Sequence, residues 1–112
     1  AYEYSHHVKI DRDFGVSDDD IRAIATETGG GDSGLPALDR TVLRAAREMT
    51  LDGEMSAETF DALRPHLDEE RLVDLTMVIA FYNGVVRLLG SLSIDVEDDY
   101  QPYLDEFPLP RD

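Results

Sequence analysis

The chain has 112 residues, with ten basic side chains against 25 acidic ones, a formal net charge of -15 and no cysteine. That length supports one modest core. The charge repels nucleic-acid phosphates and anionic lipid, and the lack of cysteine excludes disulfides, thiolate metal sites and thiol redox chemistry. Lys9 is the sole lysine. Abundant Asp with almost no Lys fits adaptation to high salt, a possible halophile signature, because screening makes self-repulsion tolerable. An ordinary acidic cytoplasmic protein fits the same composition. No secretory signal, repeat or low-complexity tract is visible. The expectation is a soluble, cytoplasmic, all-α protein, with residues 1–112 as a single domain and 93–112 as its C-terminal arm.

Residues 1–14 read as a helix that begins without a cap. Glu3, His7, Ile10 and Phe14 are spaced four, three and four apart and therefore share a face. This stripe predicts a polar pocket, Glu3 and His7, floored by core, Ile10 and Phe14. Ser5, Lys9, Arg12 and Asp13 fall elsewhere. The abrupt start predicts further sequence upstream. Gly15 suits a left-handed C-terminal residue, and Ser17 with Asp20 resembles a capping box. A second helix over 18–28 follows, with Ile21, Ile24, Ala25 and Thr28 inward. Gly29, Gly30, Gly31 and Gly34 read as a flexible linker; no Lys-Ser or Lys-Thr pair follows to make a phosphate loop.

A third helix covers about 37–51, with Leu38, Val42, Ala45, Ala46 and Met49 on its apolar face. Arg40, Arg44 and Arg47 share another face and read as solvated partners of surface acids. Asp52-Gly53 marks a turn. Ser56 caps a short fourth helix holding Phe60 and Leu63, which ends near Pro65. Asp68 caps the next helix, and Glu69 and Glu70 suit its positive end.

The stretch Leu72–Leu92 is apolar on every side, the pattern of a helix enclosed all round. A chain this small has few neighbours to cover it, so it predicts the central helix of a bundle that also meets another subunit. Asp74, Asn83 and Arg87 interrupt it and argue against a membrane span. The tail beyond is acidic. Its two prolines in Phe107-Pro108-Leu109-Pro110 exclude a regular helix there, while Tyr100, Tyr103, Leu104 and Phe107 are able to pack as an arm.

Glu3 and His7 form the leading candidate pair. A carboxylate and an imidazole at i,i+4 suit proton transfer to or from a small carbon acid, although simple helix-surface pairing has the same spacing. His6 is expected at the rim of that pocket. Adjacent histidines on a helix point about 100° apart, a poor arrangement for joint ligation, and no His-Glu-x-x-His motif exists, so no metal is expected. On the long helix, Tyr82, Asn83 and Arg87 are candidate substrate-binding residues. Arg87 suits a carboxylate clamp, or a pairing with Asp74 or a neighbour's acid that fixes oligomer register.

Tyr2-Glu3-Tyr4-Ser5-His6-His7, then Gly15-Val16-Ser17-Asp18-Asp19-Asp20-Ile21, then Asp68 to Leu75 and Phe81 to Leu89, resemble in order the carboxymuconolactone decarboxylase and AhpD-like alkylhydroperoxidase family. The likeness spans nearly the whole chain. It implies an AhpD-like helical bundle assembling as at least a dimer, more specifically a trimer or hexamer, with its N-terminal helices lacking in this chain. His7 matches the family histidine. Glu3 stands where the second cysteine of the thiol members would stand, and the first would fall before Ala1. Peroxidase activity through a cysteine pair is therefore not expected. The cysteine-free branch implies a cofactor-independent, decarboxylase-like lyase on a small carboxylate or lactone, with His7 as proton donor, Glu3 orienting it and Arg87 holding the substrate. The Tyr-Glu-Tyr form departs from the true decarboxylases, where a histidine-rich stretch with an arginine follows. A non-catalytic oligomeric scaffold or small-molecule-binding protein is the alternative. No nucleic-acid or membrane partner is expected.

Overall fold

A computed structural model describes residues 1–109; Pro110, in the tail whose prolines were read above, lies outside the described residues. Among the described residues, six α-helices and one 3-10 turn make up the regular structure and no strand occurs. The helices are α1 (Tyr2–Asp13), α2 (Asp18–Thr28), α3 (Ala37–Leu51), α4 (Ala57–Leu63), α5 (Glu69–Ser91) and α6 (Gln101–Glu106), with the 3-10 turn at Asp98–Tyr100. The packing divides into two compact units: Ala1–Leu35 with the chain from Leu89 on, and Pro36–Leu88.

In the first unit, α1 stops where local chemistry stops it. Gly15 takes φ 92°. Its N–H donates to the Arg12 carbonyl at 3.1 Å, and that of Val16 donates to Asp11 at 2.9 Å. This is a Schellman closure, which needs a left-handed residue that glycine supplies without strain. The Ser17–Asp20 capping box then starts α2, with the Asp20 N–H donating to Ser17 Oγ at 3.1 Å and the Ser17 N–H to Asp20 Oδ2 at 3.1 Å. The glycine run is more than a linker. Gly30, at φ 80°, repeats the same closure on α2, with Gly30 bonded to Glu27 and Gly31 to Thr26.

The core of this unit joins Val8, Ile21 and Phe107, with Tyr4, Val16 and Tyr103 against them. The packed face of α1 is therefore Tyr4, Ser5 and Val8, not the Glu3–His7–Ile10–Phe14 stripe. Ser5 is fully buried and satisfies its hydroxyl on the Tyr2 carbonyl at 2.9 Å. Ile10 is 42% exposed and Phe14 86% exposed, so within this chain they floor no pocket. On α2, Ile21 is buried as expected, whereas Ile24 and Thr28 are exposed. The tail also forms α6, which stops at Glu106, before the proline-bearing stretch that begins at Phe107. Pro102 sits in its first turn, where a missing N–H costs nothing. Arg12 ties the pieces together: it donates to Asp18 at 2.7 Å and to both Glu106 oxygens at 3.1 and 2.8 Å.

In the second unit, α3, α4 and α5 bury Ala45, Leu63 and Leu72, with Leu38, Val42, Leu67, Leu75 and Ile79 packed around them. The expected turn at Gly53 and the caps at Ser56 and Asp68 are present. Glu48 of α3 accepts from the Ser56 N–H at 2.9 Å and from the Thr59 hydroxyl at 2.8 Å, fastening α3 to the start of α4. Arg44 reaches Glu58 at 3.3 Å, the surface pairing expected of the arginine face.

The long helix is α5. It runs from Glu69 to Ser91, and Leu72 is its buried residue. Val73, Met77, Phe81 and Leu88 are each about 60% exposed or more. One side of α5 is thus covered by its own unit and the other is bare in the single chain. By length and composition α5 passes for a membrane crossing, with a mean hydropathy of 1.6. The argument against that role accordingly rests on Asp74, Asn83 and Arg87, not on hydropathy.

Candidate functional site

The first three turns of α1 bring a cluster of ionisable side chains together. Helical periodicity stacks residues four apart, which places His7 between two carboxylates. Its Nε2 lies 3.6 Å from Glu3 Oε2 and its Nδ1 lies 3.9 Å from Asp11 Oδ1. Both distances are too long for hydrogen bonds, and each contact is an ion pair only while the ring carries a second proton. The side chains are partly exposed, 38% for His7 and 25% for Glu3. An imidazole with one carboxylate beside each ring nitrogen has a partner for its charged form on each side. The sequence reading passed over Asp11, although the same four-residue spacing that singled out Glu3 marks it.

His6, expected at the rim of the Glu3–His7 pocket, lies among aromatic side chains. Its ring is stacked between Tyr2, with centroids 4.3 Å apart, and Tyr100, 3.7 Å apart. Nδ1 lies 2.9 Å from the Tyr2 carbonyl. A carbonyl only accepts, so Nδ1 carries the hydrogen. Nε2 then faces Glu97 Oε2 at 3.5 Å. The Tyr2 hydroxyl also donates to Glu97, at 3.2 Å. Desolvation, and next the Glu97 charge, hold the Tyr2 phenol above its ordinary pKa. His6 thus fastens the 3-10 turn and the start of α6 to α1. Only Tyr100, far along the chain, reveals this use.

The second candidate set lies on α5, in the other unit. Arg87 Nη1 donates to the Asn83 carbonyl at 2.7 Å and to Asn83 Oδ1 at 2.8 Å. Asn83 Nδ2 in turn reaches Thr50 Oγ1 at 3.1 Å and the Ile79 carbonyl at 3.1 Å. Thr50 belongs to α3, so this chain of bonds pins the middle of α5 to its neighbour. Asn83, not Asp74, is the partner of Arg87 here. Tyr82 meets Phe81 edge to face at 5.6 Å. Glu3, His6 and His7 therefore gather with Asp11 and Glu97 in one unit, and Asn83 and Arg87 gather with Thr50 in the other.

A groove of about 450 Å³ runs between α4 and α5, lined by Phe60, Glu69, Leu72, Val73, Thr76 and Met77. None of the candidate residues lines it. Among the described residues, no group of three or more His, Cys, Asp or Glu is arranged to hold a metal ion. No protein-family model, curated protein or solved structure matches the chain.

Proposed function

We propose that the chain is a cysteine-free member of the carboxymuconolactone decarboxylase and AhpD-like family, acting as a cofactor-independent lyase on a small carboxylate or lactone. The observation that carries this reading is His7 held between Glu3 and Asp11, one carboxylate per ring nitrogen. In a decarboxylation the bond to the carboxylate carbon breaks and its electron pair stays on the substrate carbon. His7 then delivers the proton that quenches the carbanion or enolate, while Glu3 orients the ring and Asp11 supports its charged form. The ordered run of short motifs supports the family assignment.

The test is a turnover screen over 4-carboxymuconolactone and related small lactones and acids, followed by loss of substrate absorbance and release of carbon dioxide. His7→Gln should lower kcat by on the order of 100-fold or more, with an unchanged helical signal. Full turnover by His7→Gln overturns the assignment. A second reading, a non-catalytic scaffold or binding protein of the same fold, draws support from the bare apolar side of α5. It predicts no turnover by the unmodified chain on any member of the panel.

A further inference from the structure

Asn83 is the only asparagine in the chain, and the residue after it is glycine. The pair lies inside α5, where both are poor helix formers. Nothing within the chain calls for glycine at position 84: its φ is not left-handed, and no atom lies within 4 Å of where a Cβ would stand. Its place after asparagine has a chemical consequence. The backbone nitrogen that follows an asparagine can attack the side-chain amide carbon, which is one reason asparagine is thermolabile, and glycine puts no side chain in the way. The folded helix holds this reaction off. Helical backbone, with ψ of about -42°, turns the Gly84 nitrogen out of the plane that ring closure needs, and its N–H is spent on the preceding turn. The amide itself is held at both ends. Asn83 Nδ2 donates to Thr50 Oγ1 and to the Ile79 carbonyl, each at 3.1 Å, and Asn83 Oδ1 accepts from Arg87 Nη1 at 2.8 Å.

We propose that Asn83–Gly84 is a self-modification site that reacts when this part of α5 opens, and that its product unfastens α5 from α3. The Gly84 nitrogen loses its proton and bonds to Asn83 Cγ. The bond from Cγ to Nδ2 breaks, and the nitrogen leaves as ammonia, taking up a proton in place of the one released. A cyclic imide joins the two residues. Water then adds to one of its two carbonyls and opens the ring, which leaves aspartate at position 83 either in ordinary linkage or linked through its side chain. The step consumes water and needs no oxidant or reductant. Thr50 sets the consequence. Its hydroxyl donates to the Ala46 carbonyl at 2.7 Å, so its oxygen meets Asn83 as an acceptor. The Ile79 carbonyl is an acceptor as well. A carboxylate at position 83 has no hydrogen for either of them. Two oxygens that received an N–H then face a negative charge, and the bond between α3 and α5 is lost. A reversible opening is converted into a lasting one.

The inference is independent of His7 and its chemistry, because it is read by mass and not by turnover. The full chain is incubated at mildly alkaline pH with and without urea, and mass spectrometry of the peptide holding position 83 counts amide replaced by acid. Conversion in urea should outpace conversion of the folded chain by at least about 10-fold, since the folded chain must first open. Thr50→Val keeps the shape of the side chain and removes the acceptor. It should speed conversion of the folded chain about fivefold, the worth of one hydrogen bond, and leave the rate in urea unchanged. Gly84→Ala has room for its methyl group and should slow conversion in urea by about 10-fold or more, because the side chain obstructs the attacking nitrogen. Asn83→Asp reproduces the ordinary-linkage product. It should keep its helical signal while the amides around positions 50 and 83 exchange roughly 10-fold faster, as loss of a bond plus an unsatisfied acceptor requires. Equal rates with and without urea overturn the proposal. So does a folded chain that never converts, whether threonine or valine stands at position 50. Conversion of Gly84→Ala at the unmodified rate, or unchanged exchange in Asn83→Asp, overturns it as well.

Discussion

Phe107 offers the sharpest test of the first unit. It follows α6, is 4% exposed and packs on Val8 and Ile21. The guanidinium carbons of Arg12 and Arg22 lie 4.7 and 5.1 Å from its ring centroid. Phe107→Ala removes most of a buried aromatic side chain, worth about 2–3 kcal/mol of transfer free energy. The cavity left behind raises the cost to about 3–5 kcal/mol, and the lost cation–π contacts, partly solvated, add about 0.5–1 kcal/mol. Domains of this size are stable by about 5–15 kcal/mol in all, so the variant should sit close to unfolding. Urea titration followed by circular dichroism gives the total. Amide hydrogen exchange at Val8 and Ile21 shows whether the loss falls on α1 and α2, as the contacts require. Phe14→Ala, the same truncation at a ring that is 86% exposed, should move stability by no more than about 0.5 kcal/mol. If Phe107→Ala costs less than about 1 kcal/mol, or no more than Phe14→Ala, the docking of the C-terminal segment on α1 is refuted.

Acid should weaken the fold through three carboxylates. Asp18 titrates below its ordinary range chiefly because Arg12 donates to it, Asp20 because the Ser17 hydroxyl does, and Glu48 because the Ser56 N–H does. The unfolded chain therefore binds more protons than the folded one, so their contribution is complete above about pH 5 and drains away as pH falls through about 4 and below. Relief of the general negative repulsion acts in the opposite sense, so the clean readout is a difference: the destabilisation caused by Glu48→Gln in urea titrations should be largest near neutrality and shrink toward low pH. A difference that grows on acidification would contradict the assignment. Ser17→Ala removes the hydroxyl that caps α2 and should cost about 1 kcal/mol, with faster exchange of the Asp20 amide as its local signature.

Helix boundaries were legible in the sequence because their causes are local. Gly15 after Phe14, Ser17 three residues before Asp20, Asp52-Gly53, Ser56 and Asp68 each act on backbone groups within a turn of themselves. The candidate pair was legible for the same reason: Glu3 and His7 meet through helical spacing alone. The facing of α1 was not. Its two rival stripes, one with Ile10 and Phe14 and the other with Tyr4 and Val8, are similar in apolar content, and the choice between them was made by Ile21 and Phe107. The contacts of His6 and Asn83 escaped too, because Tyr100, Glu97 and Thr50 complete them from distant positions.

By itself, then, the sequence determined an all-α chain, the places where its helices begin and end, and the adjacency of Glu3 to His7. These follow from hydrogen bonds and periodicities that span a few residues. The tertiary structure decided which face of each helix is buried, that His6 is a stacked fastening between two tyrosines, and that one whole side of α5 stays bare in the single chain. Those outcomes depend on which distant side chains compete for the same surface, and short-range spacing carries no record of that competition.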